Sequence, residues 1–160
     1  MLQKITQSGI RWLWVAVFVM ALDRVTKIAA QHYLTAYEPV NVAPFFNFTL
    51  AYNKGAAFSF LSAANGWQSW LFGLLAVGIS AALVVWMLRL SYRQRWISIA
   101  LACVIGGAMG NLWDRLSYGH VIDFIDLYVK TLHWPVFNVA DSAICIGAFM
   151  LVCDALWKKE

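Results

Sequence analysis

Asp123 and Asp141 are the residues whose surroundings ask most urgently for a chemical reason. Asp123 stands in Gly119-His120-Val121-Ile122-Asp123-Phe124-Ile125-Asp126, an apolar strand-like stretch, and Asp141 falls six positions after Pro135 in another apolar run. An ionised carboxylate costs roughly 2.5 to 3.5 kcal/mol at the centre of a membrane span and less near the interface, so such acids are kept for a purpose. Two carboxylates brought close together do not both ionise easily. They share a proton, and the pair polarises a water as base and acid together, which is chemistry that hydrolyses amides. Spacing alone does not settle the pairing. Asp114 and Asp126 are alternative partners, Asp123 also reads as a solvated loop acid, and Asp141 also reads as a first-turn carboxylate complementing a helix macrodipole.

The polar residues nearby fall at helical spacings. Asn138 precedes Asp141 by three, so its amide shares a helix face with the carboxylate and can orient it or a substrate peptide. Asn111 and Arg115 are four apart, and Arg115 can pair with Asp114, Asp23 or a substrate carbonyl. Asp23 and Lys27 repeat the four-residue spacing, which favours a local ion pair tying down a helix end, with substrate contact as the second reading. Gly106 and Gly110 form a GxxxG step that lets another helix approach closely. His32, His120 and His133 occur without HExxH, and GxSxG is absent, so metalloprotease and serine hydrolase schemes are weakly supported. Cys103, Cys145 and Cys153 lie in apolar stretches without a CxxC pair, as small core residues do, and no metal or cofactor is expected.

The elements that must position these groups follow from composition. Of 160 residues, 62% are hydrophobic and only 12% charged, and the mean hydropathy is +0.66. Soluble domains are about a quarter charged, so this is the composition of a polytopic membrane protein. The formal charge of +4 is scattered between apolar runs rather than gathered on one surface, which speaks against nucleic acid. Four apolar runs, about 12–30, 67–88, 96–113 and 136–157, approach the roughly 20 residues of a spanning helix. The first is too long for a signal peptide, and Asp23 occupies the place of a clean cleavage site. Lys4, Arg11, Arg89, Arg93, Arg95, Lys158 and Lys159 fall on one face of this arrangement with only Asp154 and Glu160, whereas the other face holds five positive and six negative residues. Positive residues in short loops stay cytoplasmic, so both termini are expected there, with the acids and the longer connections, 31–66 and 114–135, on the translocated side. The nine tryptophans near span ends suit an aromatic belt.

Within the first connection, 41–60 is rich in Phe, Thr, Val and Tyr, with Asn53-Lys54-Gly55 as a turn signal, and 120–130 is a second strand candidate. A small sheet formed by the two would place Asn53 near Asp123. The expected fold is therefore an all-α polytopic membrane protein, a single domain over 1–160. It has four transmembrane helices, both termini cytoplasmic, and a small extracytoplasmic β-sheet at the membrane surface.

Five segments, in order, resemble the lipoprotein signal peptidase family, also called signal peptidase II: Asp23-Arg24-Val25-Thr26-Lys27, Asn53-Lys54-Gly55-Ala56-Ala57-Phe58, Gly106-Gly107-Ala108-Met109-Gly110-Asn111-Leu112-Trp113-Asp114-Arg115, Gly119-His120-Val121-Ile122-Asp123-Phe124 and Phe137-Asn138-Val139-Ala140-Asp141. The resemblance implies an aspartic endopeptidase of the bacterial inner membrane, multi-pass, with its site on the periplasmic face. It would cut signal peptides from prolipoproteins just before a diacylglyceryl-modified cysteine, with no cofactor. Asp123 and Asp141 match the catalytic pair. Asn53, Asn111, Arg115 and Asn138 match polar positions lining the site, while Asp23, Lys27, Gly55, Gly107 and Asp114 match structural support around it. The resemblance also implies a short mobile surface helix and sensitivity to the cyclic peptide globomycin. Its expected partners are prolipoproteins and membrane lipids, and a monomer is expected. The competing reading is a non-catalytic four-helix scaffold or small transporter subunit, whose outer acids only organise helix ends.

Overall fold

The computed structural model describes residues 7–55 and 67–157. Ala56, Ala57 and Phe58 of the second segment, the remainder of the expected strand region to position 60, and the terminal charges Lys4, Lys158, Lys159 and Glu160 lie outside the described residues.

Four long helices account for the apolar runs: α1 Leu13–Tyr33, preceded by a 3-10 turn Gly9–Trp12, α2 Trp67–Arg89, α3 Arg95–Tyr118 and α4 Val139–Trp157. Between them lie β1 Pro39–Ala43, β2 Phe46–Asn53, β3 Val121–Val129 and β4 Leu132–His133, which form one antiparallel four-stranded sheet in the order β1-β2-β3-β4. A small sheet is found as expected, and only the label all-α is too loose for it: the fold is a helical membrane core carrying a small β-layer. Among the described residues no separate short surface helix occurs.

Among the described residues three helices are long and apolar enough to cross a membrane, over Trp70–Arg89, Arg95–Tyr118 and Val139–Trp157. The first helix falls short on composition because Asp23, Arg24 and Lys27 crowd its second half, although its 21 residues rise about 31 Å. Large apolar side chains point outward along the helices, including Val17, Phe18, Leu74, Val77 and Phe149, a surface for lipid rather than water.

Helix α3 is central and packs against the other three. Its glycines explain how. A Cβ at Gly106 would sit 2.6 Å from the Ala16 carbonyl oxygen of α1, and one at Gly107 would collide with the Ala140 carbonyl oxygen of α4. At Gly110 the missing side chain leaves room for the Asp23 carboxylate, 2.8 Å from where a Cβ would be. The GxxxG step thus seats α1, and the glycine between its ends seats α4. Farther from the sheet, Ala16, Met87, Leu90, Ile97, Leu101 and Ile105 form one core cluster, and Ala30, Leu50, Ile122 and Phe124 form a second between α1 and the sheet.

Helix α3 continues past the expected boundary near residue 113 to Tyr118, so Asp114 and Arg115 are helical rather than part of a connection. It stops at Gly119, whose φ of 74° is the left-handed conformation that glycine adopts without a Cβ penalty, and whose N–H caps the Arg115 carbonyl. The chain then enters β3. Helix α4 begins at Val139 rather than near 136, which puts Asp141 in its first turn instead of well inside it.

Candidate active site

Asp123 reaches the site from the sheet. In the β2–β3 register Ala51 faces Asp123 and Asn53 faces Val121, so Asn53 and Asp123 are diagonal cross-strand neighbours. Asn53 Nδ2 donates to Asp123 Oδ2 at 3.1 Å, while Asn53 Oδ1 accepts from the Gly55 N–H at 3.0 Å, so the turn holds the amide that holds the acid.

Asp141 reaches the site through a helix cap. Asn138 is the residue before α4. Its Oδ1 accepts from the Asp141 N–H at 2.9 Å, while Asp141 Oδ2 accepts from the Asn138 N–H at 3.3 Å, a reciprocal capping box in which the third-position acid is Asp141 itself. Asp141 Oδ1 accepts from Asn111 Nδ2 of α3 at 2.8 Å.

The two acids meet at Asn138, which is fully buried. Its Nδ2 donates to Asp123 Oδ1 at 2.6 Å and lies 3.1 Å from Asn111 Oδ1 and 3.3 Å from the Ile122 carbonyl. One asparagine therefore touches both carboxylates, and their proximity shows electrostatically. Burial, and next the charge of Asp141, push the Asp123 carboxyl up to about 7, against the hydrogen bonds from Asn53 and Asn138 and the charge of Lys27.

The alternative partners are occupied elsewhere. Asp114 bonds Lys27 and Arg24 and accepts from the Ile122 N–H at 3.2 Å. Asp126 bonds His133 at 2.8 Å, Thr49 at 2.9 Å and Asn47 at 3.3 Å. Burial opposes ionisation of Asp126, but those bonds outweigh it and hold the carboxyl below its ordinary value. Lys27 is fully buried against Asp23 and Asp114, so the expected ion pair is part of a larger network. His120, edge-on to Tyr52, has its imidazole pushed below the usual range by burial first of all.

Arg115 donates from Nη2 to the Gly55 carbonyl at 3.1 Å and from Nη1 to the Asn111 carbonyl at 3.3 Å, and it lies over the Phe72 ring of α2 at 5.3 Å. Its Nε is buried without a hydrogen-bond partner among the described residues.

These groups line a cavity of about 900 Å³. Asp123, Asp141, Asn53, Asn111 and Arg115 contribute to its polar part, with Lys54 and Ser142 beside them, while Leu127, Trp134, Val136, Ile144 and Cys145 contribute apolar walls. Asn138 stands behind the acids rather than on the lining, so it positions them more than it meets a substrate. Sequence reasoning missed the apolar walls. Ile144 and Cys145 carried a usable signal, lying three and four residues after Asp141 on the same helical face. Among the described residues no group of His, Cys, Asp and Glu is arranged to hold a metal ion.

Comparison with known proteins agrees with this architecture. Residues 15–157 match the family described as Signal peptidase (SPase) II. A lipoprotein signal peptidase of Aeromonas hydrophila is 51% identical over 155 residues, covering 96% of this chain and 93% of that protein. That of Pseudomonas aeruginosa is 51% identical over 93% of this chain and 89% of its own length, and that of Shewanella baltica is 52% identical over 92% and 86%. A solved bacterial membrane enzyme superposes with a TM-score of 0.84 at 31% identity, covering 94% of this chain and 90% of that one. With a family match over nearly the whole chain and relatives at half identity along almost their full lengths, the chain belongs to the signal peptidase II family.

Proposed function

We propose that this protein is an aspartic endopeptidase of the bacterial inner membrane that removes the signal peptide from prolipoproteins, cutting before the diacylglyceryl-modified cysteine. The observation that carries the reading is the meeting of the two carboxylates on buried Asn138, whose side-chain amide donates to Asp123 and whose backbone N–H donates to Asp141, beside a cavity with a polar part and apolar walls. All four helices cross the bilayer with both termini cytoplasmic. Helix α1 supplies the fourth span, its three charges lying toward the translocated face and meeting partners on α3 and α4.

Asp123 is the member that carries the shared proton near neutral pH, because it is the more deeply buried and its carboxyl is pushed up to about 7. Asp141 is the base. It accepts from the Asn111 amide and the Asn138 N–H, and it sits in the first turn of α4, where the helix macrodipole favours an anion. Asp141 takes a proton from a water lying between the acids as the water oxygen attacks the scissile carbonyl carbon. Protonated Asp123 donates a hydrogen bond to the developing oxyanion. Collapse of the tetrahedral intermediate breaks the C–N bond, and the leaving amine receives the proton held by Asp141. No covalent acyl-enzyme forms, so hydroxylamine added during turnover traps no enzyme-derived adduct.

The orphan Nε of Arg115 and the amide of Asn53 are donors for the substrate backbone, and the apolar walls suit lipid chains that remain in the membrane. A globomycin-type cyclic peptide is the expected inhibitor, competing with prolipoprotein for the same cavity. The deciding experiment is cleavage of a lipidated prolipoprotein by wild type and by folded Asp123→Asn and Asp141→Asn. Loss in both is the expected result, and retained cleavage in either discards the two-aspartate mechanism.

A further inference from the structure

We infer that Lys27 is a positioning residue for the acid pair, a single buried ammonium whose three hydrogen bonds aim Asn111 at Asp141 and anchor the two backbone segments that carry Asp123 and Asp141. The inference rests on the aspartic reading above.

An ammonium has three donors, and Lys27 Nζ has three acceptors: Asp23 Oδ2 at 2.8 Å, Asp114 Oδ2 at 2.8 Å and Asn111 Oδ1 at 2.9 Å. Each leads to the site by a separate route. Asp23 places its other oxygen, Oδ1, on the Ala140 N–H at 2.9 Å, one residue before Asp141. Asp114 Oδ2 also accepts from the Ile122 N–H at 3.2 Å, one residue before Asp123. The third route is the informative one, because two carboxylates already satisfy the charge of one ammonium and the bond to a neutral amide adds nothing to that balance.

What the third bond does is orient Asn111. With both Lys27 Nζ and Asn138 Nδ2 donating toward Asn111 Oδ1, a flipped amide would set an NH₂ against two donors. The NH₂ is thereby directed to Asp141 Oδ1 at 2.8 Å. A cation bonded to the amide oxygen also polarises the amide and strengthens the N–H bond given to Asp141. Besides this, the charge of Lys27 acts through space on Asp123, lowering its proton affinity. The other groups around the pair are Asp23 on α1, Asn111, Asp114 and Arg115 on α3, Asn53 on β2, Asn138 before α4 and Lys54, which lines the same cavity after β2.

The test uses the full-length protein in detergent or lipid, with Lys27→Met and the charge-balanced Asp23→Asn/Lys27→Met. Folding is followed by thermal unfolding, and cleavage of a lipidated prolipoprotein is followed across pH. In a folded variant kcat should fall about 10- to 100-fold, the worth of one charge-assisted hydrogen bond, while KM changes little. In Lys27→Met the alkaline limb of the rate profile should move to higher pH, since a cation leaves alone and the proton affinity of the acids rises, whereas in the charge-balanced double, where cation and anion leave together, kcat should fall with the limb in place. A lower kcat in Lys27→Met with an unmoved limb, or a double variant that keeps the wild-type kcat, makes Lys27 merely structural and overturns the inference. Unchanged kinetics, or failure of both variants to fold, also overturns it. Asp123→Asn and Asp141→Asn run alongside: if either still cleaves, the acid-pair reading itself has failed, a result separable from failure of the Lys27 role.

Discussion

Asn138 does two jobs with one amide, capping α4 through its oxygen and holding Asp123 through its nitrogen. Asn138→Ala should therefore cost about 1 kcal/mol from the cap alone, seen as a lower melting temperature, and should lower cleavage more than that loss of stability explains. Asp123 makes a pH prediction with a definite sign. Its carboxyl moves from an ordinary 3.8 to about 7 in the folded chain, so the folded state binds the proton more tightly than the unfolded one. The resulting stabilisation is fully present below about pH 4 and is lost as pH rises through about 7. Asp123→Asn should remove that part of the pH dependence of melting. In the wild type, cleavage should decline above about pH 7 as the acid loses its proton.

At the scale of elements, the site depends on how closely α3 lets its neighbours approach. A Cβ at Gly107 meets the Ala140 backbone carbonyl and the Ile144 side chain, so α4 must move away from α3 to admit it. Gly107→Ala should destabilise by about 1 to 3 kcal/mol, the usual range for overpacking. It should also lengthen the Asn111–Asp141 bond, with cleavage falling further than melting temperature predicts. The small residues at Gly106 and Ala16 show the same dependence on the α1 side, where helix contact brings Asp23 to the Ala140 N–H. Sheet and helices are linked through Ile122, which is buried in the cluster with Ala30, Leu50 and Phe124 while its N–H bonds Asp114.

At the scale of the whole molecule, the proposed topology puts the charged half of α1 and the sheet on the translocated side and the α2–α3 connection on the cytoplasmic side. Leu132, at the sheet, and Arg93, between α2 and α3, are both exposed. With Cys103, Cys145 and Cys153 replaced by alanine, a cysteine introduced at Leu132 should react with a membrane-impermeant maleimide in intact spheroplasts. One at Arg93 should react only after permeabilisation, and the reverse pattern would invert the proposed topology.

Much of this was already legible in the chain. Apolar runs near spanning length marked the helices, because a bilayer leaves the backbone few alternatives. Segments rich in β-branched and aromatic residues marked the sheet and put Asn53 beside Asp123, because cross-strand neighbours follow once two strands pair. The helical spacing of Asn138 and Asp141 was visible too, though its realisation as a capping box depended on where α4 begins. Three carboxylates competed as partners for Asp123 until packing decided among them. Asp114 went to Lys27, Asp126 to the far face of the sheet with His133, and Asp141 alone came to share Asn138. Lys27 showed a local pair with Asp23, but its bonds to Asn111 and Asp114, more than 80 positions away, were not visible in any local pattern. Periodicity reports which face a residue takes on its own element; which donors and acceptors then meet depends on helices closing at glycine contacts distant in sequence, and only the folded chain decides that.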